Sequence, residues 1–374
     1  MDIETFNYID NLISKYKDTW KDFEFVSLTE LNNNIPDDSE EINFSKLLKK
    51  MKGIFPVELY NLIKEYKPAL KLTFEDEEHS TKRYENNGWH KIAEEINLPT
   101  PHLANYEWRY TEESANKIVD YILNTENKKI NICCLGTPTI ALELINRGHF
   151  VTLLDINNPL IDCIKKIYDE TKIECITYDA QKNIPQRLIN KFDIILINPP
   201  WYLDYYELFI SRALQLMKEE GGEIILPFFQ PLSRHTALQD LLCLEKYIEE
   251  SICNKISSLG YIEFETPTFE KRILQKNGIS ICDNWRNAEI VKLTYDKNMI
   301  IPIQEEKILE KKNWVRFYDE KTKSYFVIDA LNMINKDFQL ESAQSSFLEN
   351  ISRKEIENLK IDIWDNRNKI IFFN

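Results

Sequence analysis

The run Asn198-Pro199-Pro200-Trp201-Tyr202 follows four apolar residues, Ile194-Ile195-Leu196-Ile197. Consecutive prolines stop a strand, remove two backbone donors and hold the chain extended, so an amide side chain, a free carbonyl and an aromatic face are presented together. Such a set grips a flat, nitrogen-bearing group. An exocyclic amine or an amide nitrogen is a poor nucleophile because its lone pair is delocalised. If Asn198 Oδ1 and the Pro199 carbonyl each accept an N–H, the nitrogen is favoured in a tetrahedral form with its lone pair aimed at an electrophilic carbon. Trp201 is placed to stack on a planar substrate, an arrangement worth about 1–3 kcal/mol per base, and Tyr202 to do the same or to close the pocket. The competing reading is purely structural: the prolines end a buried strand and the tryptophan is core.

The elements that must position this motif are legible upstream of it. Ile130 to Leu135 is an apolar run ending in Gly136, and Thr139 to Leu144 opens a helix that Gly148 closes. Phe150 to Leu154 is a second strand ending in Asp155; Asn157 or Asn158 with Pro159 caps the next helix. Glu174 to Tyr178 is a third strand, ending in Asp179. The motif strand is fourth, and after a helix through Leu208 and Leu214 comes a strand from Glu223 to Leu226 behind Gly221-Gly222. Strands alternating with helical crossovers imply a parallel sheet with right-handed connections, whose ligands bind at the carboxyl ends of the strands. Asp155 stands about 20 residues beyond the first glycine turn, where such folds place a ribose acceptor. For Asp155 and Asp179 alike, the alternative is an ordinary turn residue.

From roughly residue 105 to 296 the chain resembles the class I S-adenosylmethionine-dependent methyltransferases that modify amino nitrogens, through their Asp/Asn-Pro-Pro-aromatic motif. The resemblance implies a doubly wound, Rossmann-like α/β fold and S-adenosylmethionine as cofactor. Gly136 and Thr137 would lie in its binding loop, Asp155 would hold its ribose and Asp179 would face its adenine amine. Asn198, Pro199, Trp201 and Tyr202 would then be the catalytic set. The first loop departs from that family: Cys134-Leu135-Gly136-Thr137-Pro138-Thr139 keeps one glycine, and Cys134 stands where an acidic residue would bind the cofactor's ammonium group. A non-glycine first loop, together with Glu207-Leu208-Phe209-Ile210-Ser211-Arg212-Ala213-Leu214 after the motif, also resembles the branched-chain polyamine synthases. These transfer aminopropyl groups from decarboxylated S-adenosylmethionine. Asn198 replaces the acidic residue expected there. Three functions therefore stand open: nitrogen methylation, aminopropyl transfer to a polyamine, and a catalytically silent binding module.

With 61 acidic against 47 basic residues and a formal charge of −14, the chain would be repelled by nucleic-acid phosphates. The balance favours a small molecule, a cationic substrate or a protein side chain over nucleic acid, which a local basic groove would still admit. The 374 residues allow two or three domains: a helical module over 1–90, the methyltransferase-like domain over 91–300 and a small α+β extension over 301–374. The N-terminal module suits substrate selection, dimerisation or docking. The segment Glu75 to Asn87 reads as linker, and Tyr106 to Tyr110 as a pre-strand segment lying over the cofactor. Tyr261 to Phe269 and Ala288 to Tyr295 read as an antiparallel edge hairpin. Two small hairpins with an intervening helix are expected beyond residue 300. No stretch approaches the roughly 18 apolar residues of a membrane span. The acidic N-terminus is unlike a signal peptide, and seven scattered cysteines without a Cys-x-x-Cys point to reduced thiols and a cytoplasmic home. The five histidines show no metal-ligand spacing.

Overall fold

In the computed structural model the described residues are 23–36, 39–74, 88–124, 130–251, 256–280, 284–295, 313–330, 344–348, 359, 361–366 and 369–372. Among the described residues the helices Phe23–Asn34, Phe44–Lys50 and Pro56–Tyr66 come first, with two short parallel strands, β1 (Glu41–Asn43) and β2 (Lys71–Thr73), beside them. The apolar spacing 59, 62, 63, 66 falls on the third helix, which buries Leu59 and Ile63. The small sheet is an addition to the helical module expected. The early positions Phe6 to Tyr16, and the segment 75–87, lie outside the described residues. This N-terminal unit shares one apolar core with Leu232, Leu238, Leu274 and Trp285 of the central domain, so it is packed directly onto it.

Seven strands form the central sheet: β3 (Ile132–Leu135), β4 (Val151–Asp155), β5 (Ile173–Thr177), β6 (Ile194–Ile197), β7 (Gly222–Phe228), β8 (Ile256–Glu263) and β9 (Asn287–Tyr295). Their order is β5-β4-β3-β6-β7-β9-β8; β3 to β7 are parallel, and β9 is antiparallel to both β7 and β8. Alternate residues of one strand face opposite layers. Cys133 and Leu135 belong to the core formed with helix Leu203–Leu216, whereas Ile132 and Cys134 belong to the core formed with helices Glu112–Asn124 and Pro138–Asn146. The domain is therefore doubly wound, and the expected α/β, mainly parallel, Rossmann-like architecture is present. One boundary differs. The strand expected over Tyr261 to Phe269 ends at Glu263, and Thr268–Lys276 is a helix, with Pro267 at its N-cap and an apolar stripe of Phe269, Ile273 and Leu274 at helical spacing.

A second sheet follows, β10 (Trp314–Asp319), β11 (Ser324–Asp329), β12 (Gln344–Phe347), β13 (Ile363–Asp365) and β14 (Lys369–Phe372), in the order β10-β11-β13-β14-β12. The two expected hairpins are joined through β11 and β13 into one sheet, and the helix expected between them lies outside the described residues. Among the described residues no helix is long and apolar enough to cross a membrane.

Candidate active site

The parallel strands all end at one edge, and a cleft of about 800 Å³, open mouth included, lies there. Its floor is the first loop. Gly136 has φ +67°, a left-handed conformation that L residues avoid, and its N–H donates to the Leu154 carbonyl at 2.8 Å. A Cβ on Gly136 would stand 3.4 Å from Phe209 Cε1 and 3.6 Å from the Asn198 carbonyl oxygen, so the motif loop closes over it. Pro138 begins the following helix, where its missing N–H is tolerated. Thr137, expected in this loop's contact set, is buried beneath it and is not among the residues lining the cleft. Cys134 is fully buried in β3, and burial pushes its thiol up to about 12.

Asp155 and Asp179 end β4 and cap the turn after β5, and both line the cleft. Asp155 is almost fully buried, with Oδ1 accepting the Asn157 N–H at 2.8 Å. Burial first, and the nearby Glu107 carboxylate second, raise its pKa to about 7. Asp179 Oδ1 accepts the Gln181 N–H at 2.9 Å. The carboxylates of Asp155 and Glu107, the aromatic rings of Tyr106, Tyr178, Tyr205 and Phe209, and the close approach at Gly136 make a donor set suited to a nucleoside that also carries a cation.

The motif leaves β6 as expected. Asn198 lines the cleft, and its Nδ2 donates to the Trp108 carbonyl at 3.4 Å, which turns Oδ1 away from that carbonyl and leaves it as an acceptor. Pro199 is buried and Pro200 lines the cleft. Trp201 and Tyr202 are not among the lining residues. Trp201 packs edge-on against Phe264, with ring centroids 5.7 Å apart, and carries the Arg286 guanidinium 4.9 Å above its ring. Tyr202 caps the helix Leu203–Leu216 and lies under the Arg234 guanidinium at 5.0 Å. The cleft wall consists instead of Tyr178, Tyr205 and Phe209, which the sequence reading passed over or treated as scaffold, with Glu107 from the segment expected over the cofactor. The helical stripe of Tyr205 and Phe209, one turn apart just after the motif, was the available signal.

Of Tyr106 to Tyr110, the segment expected over the cofactor, Tyr106, Glu107 and Trp108 line the cleft together with Ala104 and Asn105, whereas Arg109 and Tyr110 do not. The segment is pinned by the C-terminal sheet. Tyr325 Oη accepts from Asn105 Nδ2 at 2.7 Å and donates to Asn157 Oδ1 at 3.1 Å, while Asn157 Nδ2 donates to Glu107 at 3.2 Å. His102 is fully buried with Nε2 2.9 Å from the Trp364 carbonyl oxygen; burial lowers its pKa to about 4, so it stays neutral and donates there.

Residues 126–321, more than half of the chain, match the branched-chain polyamine synthase A C-terminal domain family. The chain belongs to that family. Among solved structures, the branched-chain polyamine synthase of Thermus thermophilus, in complex with N4-aminopropylspermidine and 5'-methylthioadenosine, superposes with a TM-score of 0.55. The identity is 12%, covering 79% of this chain and 94% of that one. Such a likeness shows the fold. An uncharacterized protein of Methanocaldococcus jannaschii is 26% identical over 145 residues, 37% of this chain and 36% of that protein. The N(4)-bis(aminopropyl)spermidine synthase of Thermococcus kodakarensis is 30% identical over 102 residues, 26% of this chain and 28% of that protein. The chain thus spans about a third of the length of these two curated relatives.

Proposed function

We propose that this chain is a transferase that moves an aminopropyl group from a decarboxylated S-adenosylmethionine to an amine nitrogen of a polyamine, forming a branch. The observation that carries this reading is the first loop. A cofactor with an intact amino-acid end needs backbone N–H donors for its carboxylate and an acidic side chain for its ammonium group. Here Pro138 removes a donor at the helix N-terminus, and Cys134 is buried away from the cleft. A decarboxylated cofactor has no carboxylate to satisfy. Its remaining ammonium would favour the ionised form of the buried Asp155, whose neighbour Glu107 is already paired with Arg109 at 2.7 Å. Family membership and the relatives named above support the same choice over nitrogen methylation.

Asp155 would hold the ribose hydroxyls, Asp179 the adenine amine, and Gly136 would allow close approach of the nucleoside. The sulfonium supplies an electrophilic carbon: the amine lone pair forms the new N–C bond, the C–S bond breaks with its electrons going to sulfur, and the amine's extra proton leaves to water. Asn198 Oδ1 and the Pro199 carbonyl only orient the nitrogen, because neither is basic enough to keep a proton. A silent module is disfavoured because the Gly136 loop opens on a cleft. Calorimetric titration checks the choice of donor. Decarboxylated S-adenosylmethionine should bind at least about tenfold more tightly than S-adenosylmethionine, a difference of about 1.4 kcal/mol; the reverse order would favour methyl transfer.

A further inference from the structure

Beside the motif, outside the cleft, three indoles surround one cation. The Arg286 guanidinium lies 3.8 Å from the ring centroid of Trp108, 4.9 Å from that of Trp201 and 4.9 Å from that of Trp285. All three are within cation–π range. Behind it, on the helix Thr268–Lys276, Glu270 is fully buried. Neither of its carboxylate oxygens has a well-formed hydrogen bond among the described residues, and neither has the buried Arg286 Nε; the Trp285 indole N–H is near enough to favour the ionised carboxylate but makes no bond of good geometry to it. Burial raises the Glu270 pKa to about 7, and the nearby Arg286 cation, which makes no hydrogen bond to it, only partly opposes that. Burying a carboxylate without a bonded partner is costly, so this arrangement is under-satisfied as it stands. Arg286 is half-buried, whereas Glu270 is sealed behind it.

The cage adjoins the reacting end of the cleft. Trp108 contributes its ring to the cage, its carbonyl accepts from Asn198, and it lines the cleft as well. Trp108 thus joins the Asn198 end of the cleft to an aromatic, carboxylate-backed cage that the Arg286 guanidinium fills. We propose that the Trp108–Trp201–Trp285 cage is the seat for a distal ammonium group of a linear polyamine acceptor. Glu270 is its counter-ion, and the Arg286 guanidinium is an internal surrogate that the acceptor displaces. This rests on the aminopropyl-transfer reading and deepens it. It gives Trp201 a cation to hold in place of a planar base, and it supplies the negative charge that Asn198 lacks.

The test is calorimetric titration of the full chain with spermidine in the presence of 5'-methylthioadenosine, comparing wild type with Arg286→Gln and Glu270→Gln. Removing the competing internal cation should raise spermidine affinity by about tenfold, and removing the counter-ion should lower it by about tenfold or more. Both variants should bind 5'-methylthioadenosine as wild type does. A gain in the arginine variant is a result that a merely structural residue would not give. Unchanged spermidine affinity in Glu270→Gln overturns the proposal by itself, and that isosteric variant serves even where Arg286→Gln fails to fold. Wild type that forms branched product while neither substitution alters spermidine binding sinks the cage alone. Wild type that binds no spermidine and forms no branched product sinks the aminopropyl-transfer reading with it.

Discussion

Burial gives Asp155 a signature in pH. Its pKa is raised from an ordinary carboxyl value to about 7, by desolvation first and by Glu107 second. A raised carboxyl pKa means that the folded state holds a proton which the unfolded chain has released. Stability therefore falls as pH rises from about 4 to about 7, and the penalty persists above that window. Ligand hydroxyls donate to the ionised form, so nucleoside affinity should run the other way, weakening as pH drops below about 7. Asp155→Asn should consequently raise the melting temperature at pH 8 while weakening 5'-methylthioadenosine binding by about 1.5–3 kcal/mol. It should also flatten the pH dependence of binding. Calorimetry and thermal melts at pH 6 and 8 check both signs. A variant that binds the nucleoside like wild type at pH 8 would place the ribose elsewhere.

At the scale of elements, the lip of the cleft is held from outside the central domain. Tyr325 on β11 bonds Asn105 and Asn157, and Asn157 both caps the helix Asn158–Ile167, accepting the Leu160 N–H at 3.2 Å, and holds Glu107. Tyr325→Phe removes both of these bonds without touching any bound nucleoside. It should weaken 5'-methylthioadenosine binding several-fold with melting lowered by about 1 kcal/mol of stability; unchanged binding would show that the C-terminal sheet does not position the lip.

A second inter-element tie is His90, whose Nδ1 is 2.6 Å from Glu112 and whose Nε2 is 2.5 Å from Glu265. It joins the helix Trp89–Glu95 to the helix Glu112–Asn124 and to the segment after β8. Burial alone would lower its pKa, but the bonds and charges of Glu265 and Glu112 together outweigh that and raise it. The stabilisation is therefore complete below the unfolded value of about 6.5 and is lost as pH climbs through the folded value. His90→Gln should destabilise the protein more at pH 6 than at pH 9, measured by denaturant unfolding. An equal loss at both would mean that the ring is neutral in the native state.

At the scale of the whole molecule, the sheet was legible because β3 to β6 are short apolar runs separated by helical spacing and ended by Gly136, Asp155, Asp179 and Asn198. Those endings also located the cleft, since parallel strands deliver their carboxyl ends to one edge. The lateral wall was not legible. Tyr178 and Tyr205 read locally as strand and helix, and only packing brings them together. Trp201 shows the opposite failure. Its neighbours in sequence suggested a stacking platform for substrate, but Arg286, 85 positions away by the numbering, lies over its ring. Pairings of that range have no local signal. The helix Thr268–Lys276 was misread because Phe264 to Phe269 is aromatic enough for a strand, while the helical stripe needs Ile273 and Leu274 to become visible.

The central claim is the identity of the transferred group. Purified protein incubated with spermidine and an equal mixture of decarboxylated S-adenosylmethionine and S-adenosylmethionine, followed by mass spectrometry of the acceptor and the nucleoside, reads it directly. The expected outcome is spermidine enlarged by an aminopropyl unit on its secondary nitrogen, with 5'-methylthioadenosine released in equal amount. Methylated spermidine with S-adenosylhomocysteine, or no modified acceptor at all, would contradict it.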